Sequence, residues 1–395
     1  MECAPSFNTR SRVLLVAPHP DDESLSCSII LQRAVRAGAE VRVVYATDGE
    51  NNPWPQRVLE RKWRLDESDR ARWGRFRRQE ALNALSVLGV CKSSAEFLAL
   101  PDQGLTDLLL SDYRAPLQLL TDCIVNWAPT HLFWPALGDT HPDHSALAVM
   151  LFLAVRNLQR HLHFSAWNFL VHGNDPEFSR RAARLDAMAE ETAAKRAAIH
   201  CHKTQLKLSR RRFLGNAVRP ERLADVNGWS NNAGMELCSE PYGRSHELTI
   251  AIPPIQRRLL PGVPRLLVLG YDMSHRFIAT FATILDASSP VELFDCRNGD
   301  AIAVLPCENN PSTGVHITIP PNIFSSERPL YIKLHRRRIF FDEAGWIQVP
   351  ARTVAGSALI IPGRPDNLPR RRMTEGCAVS QTAVLVTGLT SGRGD

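Results

Sequence analysis

Short apolar runs and helix-period stretches take turns along the first half of the chain. Val13–Val16, Val41–Ala46, Glu96–Leu100, His131–Trp134 and His163–Val171 are brief and rich in β-branched and aromatic residues, as buried strands are. Ser24–Ala37, Arg75–Leu88, Ala115–Trp127, Ser145–Leu158 and a long stretch Ala183–Gln205 carry the period of helices that lie on a core. Strands alternating with helices predict βαβ units, hence an α/β, Rossmann-like domain with a parallel sheet covered on both faces. Beyond Gly228 the period shortens to two. Val315–Ile319 and Leu330–His335 alternate apolar with polar, and similar runs lie at His246–Ile252, Leu266–Gly270 and Phe277–Leu285, set apart by Pro and Gly. This half predicts an antiparallel, β-sandwich-like domain.

The expected division is an α/β domain over 1–225, a β-rich domain of unknown role over 245–363, and a disordered tail over 366–395, rich in Arg, Thr, Ser and Gly. The basic run Ser209-Arg210-Arg211-Arg212 and the polar turn Ser230-Asn231-Asn232 predict an exposed, cleavable connection between Leu206 and Ser245.

Composition narrows the class further. With 395 residues, 44% hydrophobic and 22% charged, the chain can bury a sizeable core. Forty-seven basic against 41 acidic residues leave a net charge of +6, and no long Lys/Arg stripe concentrates it, so no nucleic-acid partner is expected. No apolar window is long enough for a transmembrane helix, and the first ten residues lack the apolar run of a secretory leader. Nine cysteines without a C-x-x-C pair read as reduced thiols, and the expected compartment is the cytoplasm.

The chemistry sits just past two of the predicted strands. Val13–Ala17 runs into Pro18-His19-Pro20-Asp21-Asp22-Glu23, and Leu132–Pro135 leads to Asp139-Thr140-His141-Pro142-Asp143-His144. In open parallel sheets, ligands bind beyond the carboxyl ends of strands. His19 and Asp22 are three apart on one turn, so both can face one ion while Asp21 points elsewhere. His141 and His144 also share a face, and Pro142 suits a first helical turn. One acidic turn alone reads equally well as a helix cap. Two such turns together offer His, Asp and His as nitrogen and oxygen ligands, with carboxylates and one imidazole to spare. That is the donor set of a catalytic zinc, which takes three protein ligands and keeps an open position.

The segments His19-Pro20-Asp21-Asp22-Glu23 and His141-Pro142-Asp143-His144 resemble the two signature motifs of the LmbE-like (PIG-L) deacetylases. Arg77-Arg78-Gln79-Glu80-Ala81 with Leu88-Gly89, Leu98-Ala99-Leu100-Pro101-Asp102 and His202-Lys203-Thr204-Gln205 are similar to further pieces of that family, in the same order. The resemblance covers about the first half of the chain. It implies a Rossmann-like zinc enzyme that removes acetyl groups from N-acetylglucosamine-containing substrates, with Fe2+ as the alternative metal. It implies His19, Asp22 and His144 as metal ligands, Asp21 as general base, and His141 beside the developing oxyanion.

Asp143 is expected to tune a nearby imidazole or to cap its helix. Arg77 reads as a sugar or phosphate contact, or as the partner of Glu80. Asp102 and Asp139 lie near strand ends and read as supporting residues or as turn formers, and His172 reads as a substrate contact or as a solvated loop residue. His200 and His202 are two apart and cannot share a helix face; His202 stays a candidate contact by resemblance alone. The stretch Asn51–Gly74 sets Trp54, Trp63 and Trp73 among several arginines, which suits a cap that stacks on sugar or an amphipathic helix docked on the core. Three functions follow: an amino-sugar or glycoconjugate deacetylase, a zinc amidase of non-sugar amides, and a non-enzymatic glycan-binding protein with a vestigial metal site. Oligomeric state is not legible.

Overall fold

The computed structural model describes residues 4–158, 162–226, 246–252, 263–284, 290–310, 314–325, 327–335, 337–338, 340–349, 359–362 and 383–390. They fall into two compact units, the first within Met1–His172 and Glu177–Trp229, the second within Gly173–Pro176 and Ser230–Asp395.

The first unit runs β1 (Arg12–Ala17), α1 (Asp22–Ser26), α2 (Ser28–Arg36), β2 (Glu40–Thr47), α3 (Pro53–Glu60), α4 (Glu67–Val87), β3 (Ala95–Leu100), α5 (Leu105–Ser111), α6 (Arg114–Trp127), β4 (His131–Pro135) and α7 (Pro142–Leu158). It continues with β5 (Ser165–Phe169), α8 (Pro176–Arg181), β6 (Ala183–Leu185), α9 (Ala189–Cys201), α10 (Lys203–Asn216) and β7 (Glu221–Asp225). These strands form one sheet in the order β3-β2-β1-β4-β5-β7-β6. The first five are parallel, as expected, because each is a β-branched or aromatic run returned by a helical crossover. The core joins Val13, Leu15, Val43, Tyr45 and Phe133 of the strands to Ile30, Leu31, Ala81 and Leu85 of α2 and α4. Strand order reverses on either side of β1, so the switch point lies between the carboxyl ends of β1 and β4.

The far edge departs from expectation. β7 pairs antiparallel with β5, and β6 antiparallel with β7, making the sheet mixed. The helix expected over Ala183–Gln205 is a strand and two helices. Ala183–Leu185 pairs with β7, and the Glu191 side chain then accepts the Met188 N–H at 2.9 Å to restart a helix. At His202 the backbone leaves the helical region (φ −82°, ψ 61°), and α10 begins anew. The basic run expected in an exposed connection lies inside α10, which buries Phe213. Only residues 227–245 of that connection fall outside the described residues.

The second unit runs β8 (His246–Ile252), β9 (Arg265–Tyr271), β10 (Phe277–Thr283), β11 (Val291–Asp295), β12 (Ala301–Leu305), β13 (Cys307–Asn310), β14 (Gly314–Ile319), β15 (Leu330–His335), β16 (Arg337–Arg338), β17 (Phe341–Asp342), β18 (Ile347–Val349), β19 (Leu359–Pro362) and β20 (Ala383–Thr390). Two antiparallel sheets, β12-β11-β10-β9-β15-β18 and β13-β14-β8-β20-β19, share one core of Ile250, Ile252, Ile317, Val268, Leu293 and Ile332. This is the sandwich that the period of two predicts. The expected disordered tail is corrected at 383–390. There Ala383–Thr390 forms a strand, of which Leu385–Thr390 pair with β8 and Ala383–Val386 with β19. The rest of 366–395 lies outside the described residues.

Candidate active site

Each of β1 to β5 contributes polar residues at or beyond its carboxyl end. β1 hands over to His19, Asp21 and Asp22, and the Thr47 N–H and hydroxyl at the end of β2 both donate to the Pro18 carbonyl, at 3.0 and 2.9 Å. β3 leads to Asp102, β4 to Asp139, His141, Asp143 and His144, and β5 to His172. All except His141 and His172 are at least nine-tenths buried.

Three atoms form the centre. His19 Nδ1 lies 3.2 Å from His144 Nε2, Asp22 Oδ2 lies 3.6 Å from that His19 nitrogen, and the same oxygen lies 3.4 Å from His144 Nε2. On the far sides, His19 Nε2 lies 3.2 Å from Asp102 Oδ1 and 3.2 Å from Asp143 Oδ2, and His144 Nδ1 lies 3.1 Å from Asp139 Oδ2. Two ring nitrogens and a carboxylate oxygen thus converge in a buried space, a donor set that suits a divalent cation. Edges of 3.2–3.6 Å also match a tetrahedron of bonds of ~2.0–2.2 Å, the range for divalent metals on His and Asp. Burial opposes charge on His19, but Asp102, Asp143 and Asp22 outweigh it and hold its pKa well above the usual histidine range.

The supporting carboxylates are themselves tied down. Asp143 accepts the Gln103 and Leu105 N–H groups at 2.6 and 3.1 Å. Asp102 accepts the Asn51 N–H at 2.7 Å, and its own N–H donates to Glu50 at 2.8 Å. Asp139 accepts the His141 N–H at 2.9 Å and the Val171 and His172 N–H groups at 3.1 Å each. Asp102 and Asp143 thus face His19, and Asp139 faces His144. Asp48-Gly49-Glu50 follows a predicted strand and so is expected at this edge, but sequence spacing gives no hint of the loop amides, whose bonds join residues far apart in the chain.

Asp21 stands beside this centre, pointed away from Asp22 by its backbone. Its φ of +157° with ψ −20° is a strained conformation for an L-residue, of a kind that costs ~1–3 kcal/mol and persists where the surroundings over-determine it. Arg77 supplies part of that constraint. It donates to Asp21 Oδ2 at 2.9 Å, to the Pro20 carbonyl at 3.0 Å and to the Gly49 carbonyl at 2.7 Å. Gly49, at φ +65°, admits no side chain, since a Cβ there would stand 1.9 Å from the guanidinium. Arg77 is not the partner of Glu80, which instead accepts the Thr204 N–H and hydroxyl at 2.9 and 2.6 Å. Burial pushes the Asp21 carboxyl up to about 6, with Arg77 pulling against it.

His141 completes the near side. Its ring lies 4.7 Å from that of His19 and 5.1 Å from that of His144. Its Nδ1 accepts the Asp143 N–H at 3.2 Å, so the proton of the neutral ring sits on Nε2. The His172 ring is 4.8 Å from that of His144 and 5.5 Å from that of His141, and burial lowers its pKa to about 3. His202 lies one layer out. It is fully buried, with Nε2 2.9 Å from Glu23 Oε1 and 3.0 Å from the Ser24 hydroxyl, so it braces α1 behind Asp22. In the Asn51–Gly74 stretch the three tryptophans part ways: Trp73 is 2% exposed, Trp54 47% and Trp63 78%. Core docking holds for the first only.

Fold and site together define an α/β domain with a buried His/Asp cluster at the switch point that could hold a metal ion. Residues 14–155 match the family model described as PIG-L: GlcNAc-PI de-N-acetylase. The N-terminal half therefore carries a PIG-L (LmbE-like) domain, the domain of a family of deacetylase enzymes. A 1D-myo-inositol 2-acetamido-2-deoxy-alpha-D-glucopyranoside deacetylase of Mycobacterium sp. (strain KMS) is 27% identical over 236 residues, 50% of this chain and 75% of the relative. That of Mycobacterium avium (strain 104) is 41% identical over 146 residues, 34% of this chain and 47% of the relative. Among solved structures, N,N'-diacetylchitobiose deacetylase from Pyrococcus horikoshii aligns over 57% of this chain and 88% of its own, at 19% identity and a TM-score of 0.43.

Proposed function

We propose that the first unit hydrolyses the acetamide of an N-acetylated amino sugar, free or within a glycoconjugate, and that His19, Asp22 and His144 hold the divalent ion it needs. The observation that carries this reading is the buried triangle of His19 Nδ1, Asp22 Oδ2 and His144 Nε2. An N,N,O set suits Zn2+ and also Fe2+. When bound there, the ion supplies Lewis-acid polarisation of an amide carbonyl and acidifies water. Asp21, with a carboxyl near 6, is unprotonated at neutral pH and takes the proton of the attacking water. Such positioned base catalysis is worth ~10²–10⁴-fold. Arg77 keeps Asp21 aimed. His141 in its protonated form donates a hydrogen bond to the oxygen as charge builds and then its Nε2 proton to the departing amine, and the proton taken by Asp21 restores the imidazolium. The amide C–N bond breaks, and acetate and a free amino sugar leave. The names of the relatives support an amino-sugar substrate over other amides.

The test is acetate release from a panel of N-acetylglucosamine conjugates beside non-sugar acetamides, with metal content measured on the freshly purified chain. Turnover of the sugars alone is expected. Preference for the non-sugar amides moves the assignment to a general amidase. A metal-loaded chain that hydrolyses neither overturns it.

A further inference from the structure

We propose that the tip of the α3–α4 hairpin docks this protein on an anionic phospholipid surface. The hairpin is rooted at the active-site rim, where Asn51 bonds to Asp102 and Arg77 to Asp21. From that root α3 runs eight residues, which carries the tip about 12 Å outward. There Arg61, in the left-handed region at φ +54°, ends the helix, and Lys62-Trp63-Arg64 form the turn into α4.

The tip is firmly built. Asp66 and Asp69 form a capping box, Lys62 pairs with both at 3.2 and 2.5 Å, and Arg72 joins Glu60 to Asp69 at 2.5 and 2.8 Å. These pairs use three of the four acids between Pro53 and Phe76, against seven cations in the same stretch. Arg61, Arg64, Arg70 and Arg75 make no ion pair among the described residues. The same surface leaves apolar groups in water: Trp63 is 78% exposed, Val58 48%, Leu59 43% and Phe76 50%. Trp54 and Val58 share one face of α3, and an Arg57 guanidinium lies 5.0 Å from the Trp54 ring.

An exposed indole at a cationic turn suits the interface of an acidic bilayer. The ring seats among the headgroups, and arginines reach lipid phosphates while their stems lie along apolar surface. The eight residues of α3 separate Trp63 from the hairpin's root at Asn51, so membrane docking rather than substrate stacking is assigned to it. The placement does not depend on which amide the site cleaves.

Sedimentation of the full chain with phosphatidylcholine vesicles, with and without phosphatidylglycerol, tests the docking. Binding is expected only with phosphatidylglycerol, and high salt should release it, since exposed charges are screened. Each Lys or Arg removed near such a surface lowers partitioning about fivefold, so Arg61→Ala with Arg64→Ala should weaken binding about 25-fold. Trp63→Ala should weaken it roughly tenfold, at about 25 cal/mol per Å² of a ring of ~150–250 Å² only part of which is immersed. Arg10→Ala with Lys92→Ala removes the same charge before β1 and β3, at the opposite end of the sheet, and should leave binding unchanged. Equal binding to both vesicle types, equal losses from the tip and control pairs, or full vesicle binding by Trp63→Ala with a raised KM would each overturn the proposal.

Discussion

Replacing Asp139 by asparagine separates a positioning network from the reaction it serves. The Asp139 carboxylate is fully buried and receives three backbone N–H groups, from His141, Val171 and His172, while facing His144 Nδ1 at 3.1 Å. Asparagine keeps the shape but offers one oxygen in place of two. If that oxygen serves Val171, His172 and His144, the amide NH2 meets the His141 N–H. If it serves His141, the NH2 meets the other three donors. Either orientation strands at least one buried donor, at ~1–3 kcal/mol. The imidazole also loses the anion that faces it, and such supporting changes cost 10–100-fold in metal affinity as a rule, or about 1.4–2.7 kcal/mol. Asp139→Asn is therefore expected to bind Zn2+ 10–100-fold more weakly in a chelator competition and to melt several degrees lower. Activity should return at saturating metal, since Asp21 and His141 keep their side chains. A variant with wild-type metal affinity and melting temperature would refute this view of Asp139, and one whose turnover fails even when loaded would place Asp139 in the chemistry.

Other outcomes follow from the same coordinates. Asp21→Asn should retain metal while kcat falls by about 10²–10⁴-fold, whereas Asp22→Ala should lose the metal itself; metal content beside steady-state kinetics distinguishes them. Trp73→Ala should cost roughly 3–5 kcal/mol in chemical denaturation, and Trp54→Ala or Trp63→Ala less than ~0.5. Burial resists charge on Glu191, but Arg33, the Met188 N–H and Arg36 prevail and hold its pKa at about 2. Because the folded value is depressed, its contribution to stability is present above the ordinary glutamate range and fades as pH falls towards 2. Glu191→Gln should flatten the acid limb of a melting-temperature profile in that window, and an unaltered limb would count against the linkage.

What was legible in the sequence was local. β1, β2, β4 and β5 announce themselves because both faces are largely buried, so the apolar runs are near-continuous. The pairs His19/Asp22 and His141/His144 were legible because three-residue spacing settles which residues share a turn. Spacing is silent about partners from other strands. Nothing local tells that Asp102 and Asp143 both face His19, or that His202 meets Glu23 across 179 positions. The antiparallel edge was hidden for a related reason: Ala183–Leu185 is only three residues long, too short for a period.

The tail and the tryptophans show where averaging misleads. Ala383–Thr390 sits in a polar, glycine-containing stretch, and composition over the whole tail conceals an eight-residue strand, six residues of which pair with β8. Trp54, Trp63 and Trp73 look equivalent in the sequence, yet one closes the core and two face water. Trp73 lies four residues before Arg77, one turn along α4, and α4 presents both to the interior. The turn that buries the indole also delivers the guanidinium to Asp21. In this segment core packing and the aim of the Asp21 carboxylate are therefore set by the same helix face, and a substitution that loosens Trp73 should register at Asp21 before it registers in the fold.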